Sequence, residues 1–453
     1  MAEKKVLVLG TGKSGIAAAK LVLAKGEQVL LFDSNLELDE AKVLGNFAEG
    51  ADISLLKGEL PAEVLETVDC CVVSPGIPLD KPFVEAVRAA GIPIWGELEL
   101  AYRNAKGALC AVTGTNGKTT TVSLIGAILR VHFRDVHVLG NIGEPYTAEA
   151  LDMQADSVTV LEVSSFQLET AETFHPQVTA VTNITPDHLD RHKTMENYIA
   201  VKESITKNQT ADEYVVLNYE DPELRKFGEG NAVVPKVLWF SSLRELPEGL
   251  YVKDEEIHYR HDGADQTLFN VHDMALLGKH NYENVMCAIG VTLHMGVPME
   301  TIVKVCKSFQ PVEHRIEFVR EYQGVRYYND SKGTNVDAAV QALRAMPGPV
   351  LLIGGGYDKH VSFDDWVKEF DGRVKKLVLL GQTREQIAET AKAHGFTDIS
   401  FAEDMKDAVE QCASAAEAGD YVLLSPACAS WGMFPNYEVR GRIFKDCVRA
   451  LGE

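Results

Sequence analysis

The sequence predicts an α/β protein of three domains in series, each built on a mostly parallel sheet with helices on both faces. Three observations carry that expectation. Short apolar strands alternate with helical stretches along the chain, the pattern of doubly wound sheets. Two glycine-rich turns, GTGKSG from Gly10 and TGTNGKTT from Thr113, each fall between a strand and a helix. Backbone N–H groups there can cradle a phosphate. A length of 453 residues suits about three ordinary domains.

The first domain, expected over 1–96, is Rossmann-like. KKVLVLG is a strand, Lys13 to about Lys25 a helix, and QVLLF a second strand ending at Asp33. DISLL and CCVVS follow as strands, with helices in PAEVLETVD and PFVEAVRAAG. The central domain, over 97–311, is of the P-loop ATPase type. GALCAVTG feeds the second turn, and TTVSLIGAILR continues it as a helix. VHVLGNIG, SVTVLEVSS, QVTAVTNIT and YVVLN are strands, ENYIAVKESITKNQ is a helix, and GKHNYENVMCAIGVTLHMG is a helix ending at Gly296. LYVKDEEIHYRHDG and TLFNVHD alternate in character and predict a β-rich flap. The last domain, over 312–453, is again a Rossmann-like α/β unit, from RYYND and PVLLIGGG to YVLLSPA.

Composition narrows the function. A formal charge of −22 argues against wrapping nucleic acid or lying on an anionic membrane. The chain enters a strand at once, and no apolar run reaches membrane-spanning length. Eight scattered cysteines without a CxxC pair fit a reducing compartment. A cytoplasmic protein without membrane insertion is expected.

GTGKSG with Asp33 at the end of the next strand is the context of a dinucleotide fingerprint. It specifies a diphosphate near a helix N-terminus, and a UDP-sugar satisfies it as well as NAD does. Ser74, Pro75 and Gly76 form a second turn at the same sheet edge. In the second loop, Gly114, Thr115, Asn116 and Gly117 supply backbone N–H groups. Lys118 offers charge and Thr119 a hydroxyl for Mg²⁺. Val112 occupies the place of the first glycine of the longer Walker pattern, so the loop is short. Glu162 at a strand end is placed to be a Mg²⁺ carboxylate, and Asp187-His188-Leu189-Asp190-Arg191-His192 is dense in metal-capable groups. A nicotinamide oxidoreductase would leave TGTNGKTT, Glu162 and this cluster without a task. A non-catalytic P-loop binding protein would show no turnover dependent on an amino acid.

The ordered motifs GTGKSG, SPGIP, TGTNGKTT, GNIG, EVSSFQLE, NITPDHLDRH, GKHNYENV, EHRIE, NDSKGTN, LIGGGYDK and SPACASWGMF resemble the Mur ligases, ATP-dependent amide ligases of peptidoglycan synthesis. NDSKGTN and SPACAS resemble the D-glutamate-adding branch. The resemblance implies ATP, two Mg²⁺ ions, a UDP-N-acetylmuramoyl-L-alanine substrate, D-glutamate, and a monomer. It assigns Asn116, Lys118, Thr119 and Thr120 to the ATP phosphates and Asn281 and Asn284 to the adenine side, with Arg315 and Asp330 closing on the nucleotide. It assigns Thr119, Glu162, His188 and a carbamylated Lys202 to the metal ions; read from the residues alone, Lys202 is a surface helix lysine. It gives Gly12, Lys13, Ser14 and Gly15 to the UDP diphosphate and Asp33 and Ser34 to the uracil side. Ser74, Pro75 and Gly76 take more of the nucleotide, and Asn141 the sugar-peptide. Thr334, Lys359, Ser430 and Tyr437 take D-glutamate, and Lys332 with His188 the reacting centre. Asp330 and His188 are both candidates to deprotonate the amine. Gly432 stands where members commonly carry Asp, and Tyr437 where others carry Phe.

Overall fold

The computed structural model describes residues 4–358 and 361–452. The chain divides into two compact units. One runs to Asn270 and resumes over Glu283–Cys306; the other holds Val271–Tyr282 and continues from Lys307.

The first unit carries two sheets. The N-terminal sheet contains β1 (Lys5–Leu9), β2 (Gln28–Asp33), β3 (Ile53–Lys57), β4 (Cys70–Val73) and β5 (Ile94–Gly96). All pairings are parallel, in the order β3-β2-β1-β4-β5. The direction of winding reverses between β1 and β4, which opens the crevice where such sheets bind ligands. GTGKSG leaves β1 and the Ser74-Pro75-Gly76 turn leaves β4, both at that crevice. Val6, Leu7, Val8 and Leu9 are all buried, as expected of a strand covered on both faces.

The second sheet contains β6 (Ala108–Thr113), β7 (Val136–Gly140), β8 (Val158–Glu162), β9 (Val178–Val181), β10 (Tyr214–Asn218), β11 (Lys236–Ser241), β12 (Gly249–Lys253), β13 (Glu256–His261) and β14 (Ala264–Asn270). Its order is β14-β13-β12-β11-β10-β9-β6-β8-β7. The last three strands form the expected flap, an antiparallel meander. Its tight turns place Asp254, Glu255, Asp262 and Gly263 at positive φ, the conformation that matches strand twist in two-residue hairpins. β6 lies between β8 and β9, with Val112 opposite Glu162 in register. The glutamate is thereby carried to the edge from which the phosphate-type loop leaves.

The sheet of the second unit contains β15 (Glu317–Tyr322), β16 (Val325–Asn329), β17 (Val350–Gly354), β18 (Val374–Leu379), β19 (Ile399–Phe401) and β20 (Tyr421–Leu424). The order is β15-β16-β20-β17-β18-β19, parallel except for the edge strand β15. NDSKGTN, GGGYDK and SPACAS follow β16, β17 and β20, three adjacent strands.

Some expected helices are shorter than their sequence pattern. ENYIAVKESITKNQ is α-helical only over Met195–Glu203 and then tightens into a 3₁₀ turn at Ser204–Thr206. There the hydroxyls of Ser204 and Thr206 donate back to the carbonyls of Val201 and Glu203 at 2.7 and 3.0 Å. Such local bonds compete with helical continuation. PAEVLETVD keeps one turn, Ala62–Leu65, with Thr67 donating to Val64 in the same way. β11 and β15 carry no alternation that would announce a strand. Among the described residues, no helix is long and apolar enough to cross a membrane.

Candidate active site

At the β1/β4 crevice, Gly10 has φ +99°, and its N–H donates to the carbonyl of Phe32 at 2.8 Å. A Cβ on Gly15 would lie 1.9 Å from the Gly10 carbonyl oxygen, so the third glycine lets helix Lys13–Ala24 approach the turn. A cavity of about 520 Å³ opens there. Gly12, Lys13, Ser14, Asp33, Ser34, Ser74, Pro75, Gly76 and Asn141 all line it; Gly15 packs behind it. Asp33 accepts from the Thr11 hydroxyl at 2.6 Å and from the Thr11 N–H at 3.3 Å. Lys13 reaches the Gly143 carbonyl at 2.6 Å and Glu144 at 2.9 Å. Thr11 and Gln167 also line this cavity and were not among the expected residues.

The loop after β6 is a cradle built for backbone donors. Gly114 and Gly117 have φ of +141° and +86°. A Cβ on Gly114 would meet the Thr182 hydroxyl at 2.0 Å, and one on Gly117 the Asn284 side-chain oxygen at 2.2 Å. The stretch after β9 pins the loop. Thr115 N–H donates to the Asn183 carbonyl at 2.9 Å and Asn116 N–H to the Asn183 side chain at 2.8 Å. Thr182 donates to the Asn116 carbonyl at 2.6 Å. Thr119 and Thr120 are buried in the first turn of helix Lys118–His132.

Two lysines converge on one atom of this loop. Lys118 donates to the carbonyls of Gly114 and Thr115, each at 2.8 Å, and Lys202 donates to that of Gly114 at 2.7 Å. Lys202 is 2% exposed, which corrects its reading as a surface lysine. Its helix packs against the loop, so the side chain that a solvated helix would expose is enclosed. Its ammonium lies 4.7 Å from the Tyr198 ring centre, and the Tyr198 hydroxyl is 3.1 Å from that of Thr115. Burial, and then the nearby Lys118 charge, hold Lys202 well below the usual lysine range, with Asp187 acting in the opposite sense.

Glu162 is 2% exposed and accepts from the Asn141 amide at 2.8 Å, while the Asn141 N–H donates to the Glu162 carbonyl at 2.8 Å. Asn141 therefore belongs both to the first cavity and to the surroundings of Glu162. His188 sits at φ +53° with its ring 4.9 Å from that of Phe166. A hydroxyl on Thr119, a carboxylate on Glu162 and an imidazole on His188 are each ligand types that suit a divalent cation. Nearby, buried His192 bonds the Ser165 hydroxyl at 2.9 Å, and Arg191 pairs with Glu169. The motifs EVSSFQLE and NITPDHLDRH contain Glu169, Asn183 and Arg191, but no role was expected for these residues or for Tyr198.

In the second unit, Asp330 follows β16 and accepts from the Ser425 hydroxyl at 2.8 Å and the Ile316 N–H at 3.3 Å. It is 4% exposed, and burial pushes its carboxyl up to about 7 against the opposing pull of Ser425, Arg315 and Arg440. Arg440, also buried, braces two loops by donating to the Ser331 carbonyl at 2.7 Å and the Cys428 carbonyl at 3.0 Å. Ser331 donates to the Tyr437 carbonyl at 2.8 Å, and the Lys332 ammonium lies 5.4 Å from the Tyr437 ring centre. Thr334 N–H donates to the Lys332 carbonyl at 2.9 Å. Ser430, the last residue of SPACAS, is buried, and Ala427 within that motif takes φ +56°. Arg315 lies next to Ile316, and Asn281 donates to the Leu277 carbonyl at 2.6 Å. Lys359 lies outside the described residues. A Cβ on Gly432 would meet open space, but its φ of +88° favours glycine.

Known proteins match this architecture along the chain. The Mur ligase MurD-like N-terminal domain matches residues 4–96, the Mur ligase middle domain 112–292, and the Mur ligase glutamate ligase domain 314–428. A protein of Lachnoclostridium phytofermentans named UDP-N-acetylmuramoylalanine–D-glutamate ligase is 50% identical over 448 residues, covering 99% of this chain and 98% of that protein. One of the same name from Lachnospira eligens is 51% identical over 449 residues, covering 99% of each. The crystal structure of UDP-N-acetylmuramate-alanine ligase MurC from Thermotoga maritima shares the fold, with a TM-score of 0.61 at 17% identity over 98% of this chain and 99% of that one. With half of its residues identical to two such ligases along nearly its entire length, the chain belongs to the Mur ligase family.

Proposed function

We propose that this protein joins D-glutamate to UDP-N-acetylmuramoyl-L-alanine at the expense of ATP, releasing ADP and phosphate, as a step of peptidoglycan precursor synthesis in the cytoplasm. The names of its relatives support the substrate pair. The observation that carries the chemistry is the convergence of Lys118 and Lys202 on the Gly114 carbonyl. The Lys118 ammonium on this glycine cradle makes a site for a polyanion, with Lys202 buried beside it, and the cavity at β1/β4 lies in the same unit.

A carboxylate does not acylate an amine at neutral pH, because the leaving group would be oxide. The alanyl carboxylate oxygen instead attacks the γ-phosphorus of ATP, and the bond from that phosphorus to ADP breaks. The amine nitrogen of D-glutamate then attacks the acyl carbon. It loses a proton, and the tetrahedral intermediate expels phosphate and leaves an amide. Lys118 and the loop N–H groups offset the charge that moves in the first step. Asn116, Thr119 and Thr120 hold phosphates, with Asn281, Asn284, Arg315 and Asp330 contributing to the nucleotide. Asp330, with its carboxyl near 7, and His188 are the groups assigned to take the amine proton. Lys332 stabilises the acyl phosphate, and Thr334, Lys359, Ser430 and Tyr437 hold the amino acid.

Thr119, Glu162 and His188 would hold Mg²⁺, which supplies charge neutralisation at the phosphates. A neutral Lys202 amine can add CO₂, forming an N–C bond and losing a proton, and the resulting carbamate gives the site an anion where an ammonium would repel the metal. The test is product identity. Incubation with all three substrates should yield ADP and a nucleotide-sugar heavier by one glutamyl residue; ADP without that product would defeat the proposal.

A further inference from the structure

Arg191 ties the first cavity to the His188 segment. Its Nε lies 3.3 and 3.2 Å from the two Glu169 carboxylate oxygens, and Nη2 completes the grip on that carboxylate. Nη1 donates to the Pro75 carbonyl at 2.9 Å. The guanidinium carbon lies over Phe166, 4.3 Å from the ring centre, and the side chain is 10% exposed. Pro75 is the middle of the turn that lines the cavity. The Arg191 N–H donates to the His188 carbonyl at 3.1 Å, and Phe166 is also the ring against which His188 packs.

We propose that Arg191 is a positioning residue for the nucleotide-sugar substrate. It fixes the Ser74-Pro75-Gly76 turn against the short helix Leu189–His192, so that the cavity is formed before substrate arrives. The task requires a planar fork that can hold a carboxylate on one edge, a carbonyl on another and a ring on its face. A lysine ammonium cannot meet all three. The inference rests on the reading of this cavity as the nucleotide-sugar site.

The test uses the full chain with Arg191→Lys, Arg191→Met and Glu169→Gln. Steady-state kinetics are measured for each of the three substrates, and binding of UDP-N-acetylmuramoyl-L-alanine without ATP is measured by calorimetry. Both Arg191 variants should raise KM for the nucleotide-sugar about tenfold, as expected for one lost charged hydrogen bond. Calorimetric binding should weaken by the same factor, while KM for ATP and D-glutamate stays unchanged. Glu169→Gln should shift the same constant less, because the arginine remains. A folded Arg191→Met with unchanged nucleotide-sugar binding would overturn the proposal. So would an equal rise in all three KM values, which marks general damage. If Arg191→Met does not fold, Arg191→Lys and Glu169→Gln carry the same comparison. A wild-type protein that binds no nucleotide-sugar overturns the reading of the cavity and this inference with it; tight binding by wild type and variants alike removes Arg191 alone.

Discussion

Asp330 gives the most quantitative prediction. Its carboxyl is buried, with Ser425 at 2.8 Å and the Ile316 N–H at 3.3 Å as hydrogen-bond partners. Burial raises it from 3.8 to about 7. Folding therefore favours the protonated acid, and the stability it contributes is fully present below 3.8 and is lost as pH rises through about 7. The interval between those values, at 1.36 kcal/mol per pH unit, corresponds to about 4 kcal/mol. Asp330→Asn keeps the shape and cannot ionise. Urea denaturation of both proteins at a series of pH values should show the asparagine variant gaining on the wild type between pH 4 and 8, by about 4 kcal/mol. Parallel stability curves over that range would refute the argument and show that Asp330 ionises on folding as freely as an exposed acid.

Gly117→Ala places a Cβ 2.2 Å from the buried Asn284 side chain at φ +86°. The backbone term alone is about 1–2 kcal/mol, so KM for ATP should rise by about five- to thirtyfold; unchanged ATP binding would remove the loop geometry from the account. Lys202→Met should abolish turnover without lowering the melting temperature, because a buried amine, whose charged form burial and the Lys118 charge disfavour, is replaced by an apolar chain of similar length. The wild-type residue, held below the usual lysine range, makes stability rise with pH below its unfolded value, and the methionine variant should lack that slope. Retained turnover would exclude Lys202 from the site. Lys118→Ala should fold and lose about a hundredfold or more in kcat; a rate near wild type would disqualify the lysine.

The sheets were legible because their strands, such as VLVL and CCVV, are short apolar runs set between helices, and a chain of that pattern has few ways to bury itself. The glycine turns were legible because positive φ and close approach leave a residue-type signature. Arg191 and Pro75 are separated by 116 residues and meet only through tertiary packing, so no local pattern announces their contact. Lys202 sits in a helix whose sequence reads as solvated, and only the packing of that helix against the Gly114 loop buries it. Asp330 was named by its motif, but its raised carboxyl depends on enclosure between β16 and the loop after β20, which sequence spacing does not reveal. The helix of ENYIAVKESITKNQ was overextended because serine and threonine back-bonding, rather than apolar period, ends it.

The central claim is that this chain couples ATP cleavage to amide formation with D-glutamate. Phosphate release from ATP, followed in the presence of UDP-N-acetylmuramoyl-L-alanine and each candidate amino acid in turn, tests it most directly. Strong release is expected with D-glutamate and only background release with L-glutamate or buffer; release with D-glutamate no greater than with L-glutamate would refute the coupling.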